Sequence, residues 1–205
     1  MKIAVFILAA AAAYLLAGLN SAIVLSRLIY HRDIRQEGSK NPGFTNFRRV
    51  FGPKYAWFVF ALDLLKGATA AVLAGLLFRA YWNDWQLGVA FAGVFGVLGH
   101  AYPVWYGFRG GKGFLVCLST LWFIDWRAGA IATAVLVVLL LTTKYMSLST
   151  MLALASGAVS AALFGASLPV CLLYAGCVLF VVVRHRENIV RLAHGTESKF
   201  TFGHH

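Results

Sequence analysis

Charged residues are scarce in this sequence, and acidic residues are the scarcest. Asp, Glu, Lys and Arg make up 12% of the 205 residues, with 7 acidic against 18 basic side chains. Hydrophobic residues reach 60%, and the mean hydropathy is +0.76. A soluble domain carries about 25% charged and roughly 45–50% apolar residues. The composition therefore excludes an ordinary soluble domain and predicts an integral membrane protein.

Cysteine is also rare, and its spacing supports neither a disulfide nor a metal site. Cys117, Cys171 and Cys177 all lie in apolar stretches, and no two of them have the Cys-x-x-Cys spacing. Buried free thiols are the expected state. We expect no metal and no cofactor.

Several common catalytic signatures are missing. No histidine is followed five positions later by an aspartate, the base and partner of many acyltransferases, and no G-x-S-x-G elbow occurs. A nucleotide P-loop ending at Lys112 would need Gly at position 106 and Ser or Thr at position 113, where the chain has Tyr106 and Gly113. A magnesium–nucleotide site is therefore disfavoured.

Seven apolar segments are candidates for membrane spans, each of which needs roughly 20 residues. They are residues 3–29, 55–78, 87–104, 113–123, 128–141, 148–164 and 168–183, of which the fourth and fifth are short. Most Lys and Arg residues fall on one side of this arrangement, which the positive-inside rule assigns to the cytoplasm. We predict an all-α integral membrane protein with seven transmembrane helices, an outside N-terminus and a cytoplasmic C-terminus. Residues 1–202 form one domain, and residues 203–205 are interpreted as a tag remnant.

Unusual polar residues concentrate on the predicted inner side. The first cluster, residues 38–49, combines glycines, small polar side chains and arginines, which together can hold a phosphate. Its glycines and proline predict turns rather than an ordinary helix over residues 38–46. The ordinary alternative is a polar loop with the positive charge of any membrane protein. The candidate ligands are Gly38, Ser39, Asn41, Gly43, Thr45, Asn46 and Arg49.

A glycine-rich stretch, residues 107–113 (the glycine loop), forms the second cluster. Its four glycines let the backbone approach an anion closely, and Lys112 supplies positive charge. The alternative to an anion site is a glycine-rich inner loop in which Lys112 is an ordinary cation. The candidates, with a histidine that precedes the loop, are His100, Gly110, Gly111 and Lys112.

The tail and the second span contain the remaining candidates. If a helix continues from the last span, His185, Asn188 and Arg191 lie along one side of it and can meet an anion; otherwise they form a basic helix on anionic lipid. Asp63 and Lys66 are three positions apart within a span and can pair. They either have a functional role or join helices.

Five motifs occur in order along nearly the whole chain. They are Gly38-Ser39-x-Asn41-x-Gly43-x-Thr45-Asn46, Asp63-x-x-Lys66-Gly67, Gly99-His100-x-x-Pro103 with Gly110-Gly111-Lys112-Gly113, Tyr145-x-Ser147-Leu148, and His185-Arg186-x-Asn188-Ile189-x-Arg191-Leu192-x-x-Gly195-x-Glu197. Together they resemble the bacterial membrane glycerol-3-phosphate acyltransferases that use acyl phosphate, the PlsY family. The chain departs from the usual family pattern at Lys40, commonly glycine, and at Phe114-Leu115, where Val-Ala is commoner.

The resemblance implies a reaction at the cytoplasmic face of the bacterial inner membrane. An acyl group passes from acyl phosphate to the 1-hydroxyl of glycerol 3-phosphate, giving lysophosphatidate and phosphate for phospholipid synthesis. The proton acceptor is a substrate phosphate or His185. The resemblance assigns catalytic roles to Ser39, Lys112, His185 and Asn188. It adds Ser147 and Glu197 to the substrate site and gives supporting roles to Asp63, Lys66 and Arg191.

A small membrane anion transporter is the alternative function. Its cations would have to line a route to the outer face, whereas all the polar clusters lie on the inner side. The expected partners are acyl phosphate, glycerol 3-phosphate and membrane lipids. We expect neither nucleic acid nor an obligatory protein partner.

Overall fold

The computed structural model describes residues 2–201, which fold into helices joined by short turns and by two longer loops, residues 31–43 and 102–113. Two 3-10 helices, Ile34–Gln36 and Val104–Tyr106, lie in the connections. The predicted all-α architecture is confirmed for these residues, while the tag interpretation of residues 203–205 lies outside them. The α-helices are α1 Lys2–Gly18, α2 Ser21–Tyr30, α3 Phe44–Phe51, α4 Pro53–Trp82, α5 Trp85–Ala101, α6 Phe114–Ile124, α7 Trp126–Thr143, α8 Met146–Leu163, α9 Leu168–Arg184 and α10 Arg186–Ala193.

Five helical segments of the described chain are long and apolar enough to cross a membrane. They are α1 with α2, α4, α5 with the following turn, α7, and α8. The fifth predicted segment, expected to be short, is a helix of 18 residues, Trp126–Thr143. The bent pair of α9 and α10 gives a sixth span if it counts as one. With 11 residues, α6 falls short of a full span.

The short helix α6 lies at the centre of the packing. It contacts α4, α5, α7, α8 and α9, and most of its residues are buried. At the crossing with α4, a side-chain carbon added to Gly67 would lie 2.2 Å from Ser119 Oγ. Small residues allow this close approach of two helix backbones. Because other helices surround α6, it does not need the length of a helix that faces lipid across the bilayer.

The first apolar segment contains a break between α1 and α2, where the prediction had one continuous span. Asn20 caps α2 through a hydrogen bond from Ile23 N at 3.0 Å. Its Nδ2 donates to Pro42 O at 3.1 Å. A backbone break within a membrane is tolerated where protein groups satisfy it. Asn20 therefore also attaches this break to the loop of the first cluster.

The intramembrane ion pair joins α4 to the same break. Lys66 Nζ lies 2.8 Å from Asp63 Oδ1 and donates to Leu19 O at 2.9 Å. Ser21 Oγ donates to Asp63 Oδ1 at 3.0 Å. Both charged side chains thus bond to polar groups at the break and join α4 to it.

The first cluster is partly helical, which corrects the prediction of turns over residues 38–46. The turns end at Gly43, and α3 begins at Phe44, so Thr45, Asn46 and Arg49 lie on a helix. Phe44 and Phe47, three positions apart, are buried in an aromatic cluster. This burial stabilises a short amphipathic helix that the glycines and the proline do not predict.

The last helical segment bends at His185, where a continuous helix was expected. The axes of α9 and α10 differ by 58°. His185 N donates to both Val181 O and Val182 O, as at a tightened helix end. The bend lets α10 contact α8 as well as α9 and brings Asn188 into a buried position.

Candidate functional site

The glycine loop folds back onto the last turn of α5. Gly110 N donates to Ala101 O and Gly111 N donates to His100 O, both at 3.0 Å. A side-chain carbon at Gly111 would lie 2.2 Å from His100 Nε2. Only glycine permits this contact between the loop backbone and the buried histidine ring.

The glycine loop also packs against the loop of the first cluster. The same added carbon at Gly111 would lie 3.0 Å from Pro42 O, which belongs to that loop. His100 is buried beneath this contact, and its Nδ1 has no hydrogen-bond partner among residues 2–201. The fold therefore brings the first two polar clusters into contact.

Asn46 organises the loop of the first cluster from inside. Its Oδ1 accepts a hydrogen bond from Ser39 N at 2.9 Å, and its Nδ2 donates to Glu37 O at 3.0 Å. Gly38 has φ +53°, and a side-chain carbon there would lie 2.4 Å from Asn46 Oδ1. Asn46 is buried, whereas Ser39 is exposed. Asn46 thus shapes the loop, and the Ser39 hydroxyl remains accessible.

A continuous set of polar contacts joins the glycine loop, α8, α10 and the tail. Lys112 Nζ donates to Asn188 Oδ1, and Asn188 Nδ2 donates to Glu197 Oε1 at 2.6 Å. Ser147 Oγ donates to the same oxygen at 2.7 Å, and Arg191 Nε donates to Glu197 Oε2 at 2.7 Å. We call these five residues the Lys112 network.

The charges of the network follow from its burial and its hydrogen bonds. Burial lowers the pKa of Lys112 to about 8, and the neighbouring Glu197 carboxylate opposes that shift. Burial raises the pKa of Glu197, but the hydrogen bonds from Ser147, Asn188 and Arg191 prevail and the net shift is downward. At neutral pH the network therefore contains a mostly protonated ammonium and an ionised carboxylate.

His185 lies at the bend between α9 and α10 and is buried. Its Nδ1 lies 2.8 Å from Val181 O. A carbonyl oxygen can only accept, so Nδ1 carries the proton, and Nε2 of the neutral ring keeps a lone pair. Lys112 and Glu197 are close enough for their charges to act on the ring. The imidazole is thus oriented to accept a hydrogen bond or a proton at Nε2.

A cavity of about 440 Å³ opens beside the glycine loop and is rich in cations. Sequence reasoning missed two of its members: Arg35, which donates to Tyr106 O at 2.7 Å, and Arg184, which donates to Gly111 O at 3.1 Å. Their charge was visible in the sequence but indistinguishable from the ordinary cytoplasmic excess of Lys and Arg. The basic residues that line the cavity are Arg35, Lys40, Arg109 and Arg184.

Not all candidates come together. Arg49 is exposed on α3 and makes no hydrogen bond or ion pair with the described residues. Ser39 and Asn41 likewise make no side-chain hydrogen bond to Lys112 within residues 2–201. Asn41 Nδ2 instead lies next to Gly43, 3.2 Å from where that residue's side-chain carbon would be. The first cluster and the Lys112 network are therefore two separate groups of polar side chains.

Known proteins match the chain over nearly its full length. A sequence model of the family described as glycerol-3-phosphate acyltransferase matches residues 7–195. The glycerol-3-phosphate acyltransferase of Lactiplantibacillus plantarum is 34% identical over 203 residues, which cover 99% of this chain and 94% of the relative. That of Aquifex aeolicus is 37% identical over 190 residues, which cover 92% and 95%.

Solved structures agree with these sequence matches. The crystal structure of PlsY (YgiH), an integral membrane glycerol 3-phosphate acyltransferase, in its glycerol 3-phosphate form has a TM-score of 0.88, 33% identity and 96% coverage of both chains. The lysophosphatidic acid form has a TM-score of 0.85, 32% identity and coverage of 96% and 95%. The resemblance inferred from the five motifs is confirmed, and the chain belongs to the glycerol-3-phosphate acyltransferase family.

Proposed function

We propose that the protein transfers a fatty acyl group from acyl phosphate to the 1-hydroxyl of glycerol 3-phosphate. The products are 1-acylglycerol 3-phosphate and inorganic phosphate. Family membership supports the acyl transfer, and the PlsY structures in their glycerol 3-phosphate and lysophosphatidic acid forms match the proposed acceptor and product. The donor is inferred from the chemistry of the site.

The observation that carries this proposal is the bonding of the Lys112 ammonium. Its hydrogen bond goes to the neutral amide of Asn188, and the Glu197 carboxylate bonds to that amide instead of forming an ion pair with the ammonium. An ammonium has three donors, so charge and donors remain for an anion. Such a partly buried cation, in a loop that lets the backbone approach closely, suits a compact phosphate.

The two polar groups of the site can hold two phosphates. We assign Lys112 and Asn188 to the phosphoryl contacts near the reacting carbonyl. Accessible Ser39 and Asn41 and exposed Arg49 supply donors on the side of the first cluster. Because charge-assisted hydrogen bonds are about twice as strong as neutral ones, the cations provide most of the binding and the amides set the orientation.

The reaction needs positioning and charge stabilisation more than a strong base. The 1-hydroxyl oxygen attacks the carbonyl carbon, the bond from that carbon to the phosphate oxygen breaks, and phosphate leaves with the electron pair. The hydroxyl proton passes to a substrate phosphate oxygen, with His185 Nε2 as the second acceptor. Lys112 stabilises the negative charge that develops during the transfer.

One assay tests the function directly. Purified protein in lipid nanodiscs is given acyl phosphate and glycerol 3-phosphate, and both products are measured. Lysophosphatidate and phosphate should form in equal amounts. Omission of glycerol 3-phosphate controls for hydrolysis. Absence of lysophosphatidate, with phosphate uptake by liposomes that contain the protein, would support the anion transporter instead.

We also propose seven spans, with the N-terminus outside and the site on the cytoplasmic side of the bacterial inner membrane. The short helix α6 is the additional span, and residues 1–202 form one domain. Reporter tags after Lys2 and within residues 81–86 should label from outside. Tags within residues 32–37 and after Phe200 should label from inside. The lopsided distribution of Lys and Arg is the reason, and a C-terminal tag that labels from outside contradicts the arrangement.

Activity should fall on the alkaline side because of Lys112. With its pKa lowered to about 8 by burial, the ammonium loses its proton as the pH rises through that value, so kcat/KM for acyl phosphate should decrease above about pH 8. A bound phosphate dianion favours the charged form, so kcat should fall at a higher pH than kcat/KM.

Lys112→Arg is the matched variant for the pH profile. Its guanidinium stays protonated throughout the range, so the alkaline decrease should disappear from whatever activity remains. If this variant keeps the same alkaline decrease, another group titrates.

A further inference from the structure

The tail, residues 194–201, connects the Lys112 network to the surface helix α3. Glu197 lies in the network, and Phe200 lies three residues later in the aromatic cluster of α3. Phe200 is only 7% exposed, and its ring centroid lies 6.1 Å from that of Phe44. Its backbone N donates to Lys144 O at 2.7 Å, at the C-terminal end of α7. Phe200 therefore attaches the tail to two separate elements.

Arg48 covers this anchor from the outside. Its guanidinium lies 4.6 Å from the centroid of the Phe200 ring and also donates to Thr201 O. A cation above an aromatic face adds attraction to the burial of the ring. Ser198 and Lys199, which precede Phe200, are both exposed. The anchor is thus the side chain of Phe200, which is buried after two exposed residues.

Glu197 is held between two attachments. On its N-terminal side, Thr196 N donates to Arg191 O at 2.8 Å. On its C-terminal side, Phe200 is the next buried residue. Three residues extend over at most about 10 Å, so the position of Phe200 limits where Glu197 can go.

The position of Glu197 determines which way the Asn188 amide faces. Glu197 Oε1 accepts from Asn188 Nδ2, which leaves Asn188 Oδ1 directed at the Lys112 ammonium. With the carboxylate displaced, Asn188 Nδ2 loses its acceptor, and the amide loses one of the two contacts that hold it against the ammonium. The tail thus controls how Lys112 is held.

We propose that Phe200 is a positioning residue for the acyl transfer: anchored between α3 and the end of α7, it holds Glu197 against Asn188 and so orients Lys112. This inference rests on the proposed function. It couples the surface helix α3 to the Lys112 network, a connection not apparent from the motifs.

Displacement of Glu197 should also change the titration of Lys112. The Glu197 charge favours the ammonium, and basic neighbours oppose it, so a displaced carboxylate lowers the pKa of Lys112 further. The alkaline decrease in kcat/KM should then move to lower pH. The titratable groups that act on or near Lys112 are Glu197, Arg191, Glu187, Arg184 and His185.

A double-mutant cycle separates positioning from general structural damage. Phe200→Ala should lower kcat/KM by roughly tenfold to a hundredfold, the range for a slightly misplaced catalytic group, and should shift the alkaline decrease to lower pH. Glu197→Gln should do both as well. The double variant should be no worse than Glu197→Gln alone, because both changes act through the same carboxylate. Phe200→Leu should restore much of the activity and of the pH profile.

Ser198→Ala is the matched control in the same segment, since Ser198 is exposed and its side chain makes no hydrogen bond to the described residues. It should leave kcat/KM and the pH profile unchanged. Additive losses in the double variant, or an unshifted pH profile in Phe200→Ala, would overturn the positioning role. Wild-type protein is assayed in parallel: its inactivity would contradict the proposed function, whereas normal wild-type and Phe200→Ala activities would contradict only this inference.

Discussion

Lys112→Ala should reduce turnover by about two orders of magnitude while the protein stays folded. Loss of one charge-assisted contact that forms in the transition state costs ~3 kcal/mol, or about a hundredfold in rate. The partly buried ammonium bonds to a neutral amide, so its removal leaves no unpaired carboxylate next to it. Initial rates of lysophosphatidate formation measure the effect, and thermal unfolding in detergent checks the fold.

Lys54→Ala is the matched control for charge. Lys54 is an exposed cation at the start of α4, on the predicted inner side. Its loss should change the rate little. Near-normal activity of Lys112→Ala, or an equal loss in Lys54→Ala, would contradict the role assigned to the ammonium.

Acyl phosphate should react at least about a hundredfold faster than acyl-CoA of the same chain length. A thioester has no phosphate next to its carbonyl, so it forgoes the charge-assisted contact to Lys112, worth ~3 kcal/mol in the transition state. The glycine loop also lacks the sequence of a nucleotide P-loop, with Tyr106 and Gly113 at the diagnostic positions. Initial rates with each donor, at saturating glycerol 3-phosphate, test this prediction.

Inorganic phosphate provides a control for donor recognition. As a product, it should compete weakly with acyl phosphate in the wild-type protein, and the competition should weaken further in Arg49→Ala and Lys112→Ala. Ser39→Ala should slow the use of acyl phosphate through the loss of an accessible hydroxyl donor. Equal or faster turnover with acyl-CoA would refute the donor assignment.

Features that depend only on local sequence, such as apolar runs and short motifs, were predictable. The apolar runs defined the helices of the membrane region, and five ordered motifs identified the family. Prediction failed where packing outweighed local preference. The glycines and the proline of residues 38–46 indicate turns, yet burial of Phe44 and Phe47 stabilises α3 directly after Gly43.

Helix length was another property that local sequence did not decide. At 11 residues, α6 is shorter than a span that faces lipid along its length, but it packs against five other helices. The bend at His185 similarly brings α10 against α8, an element distant from it along the chain. Neither environment can be read from composition alone.

The sequence by itself determined the all-α membrane character, the family and the residue types that can bind phosphate, because composition and motif spacing are properties of the chain. Only the tertiary structure decided how these residues are connected. It joined Lys112 to Glu197 through Asn188, separated Arg49 from that network, and anchored Phe200 against α3. These contacts link residues far apart along the chain, and they depend on helix bends and loop packing that local sequence does not specify.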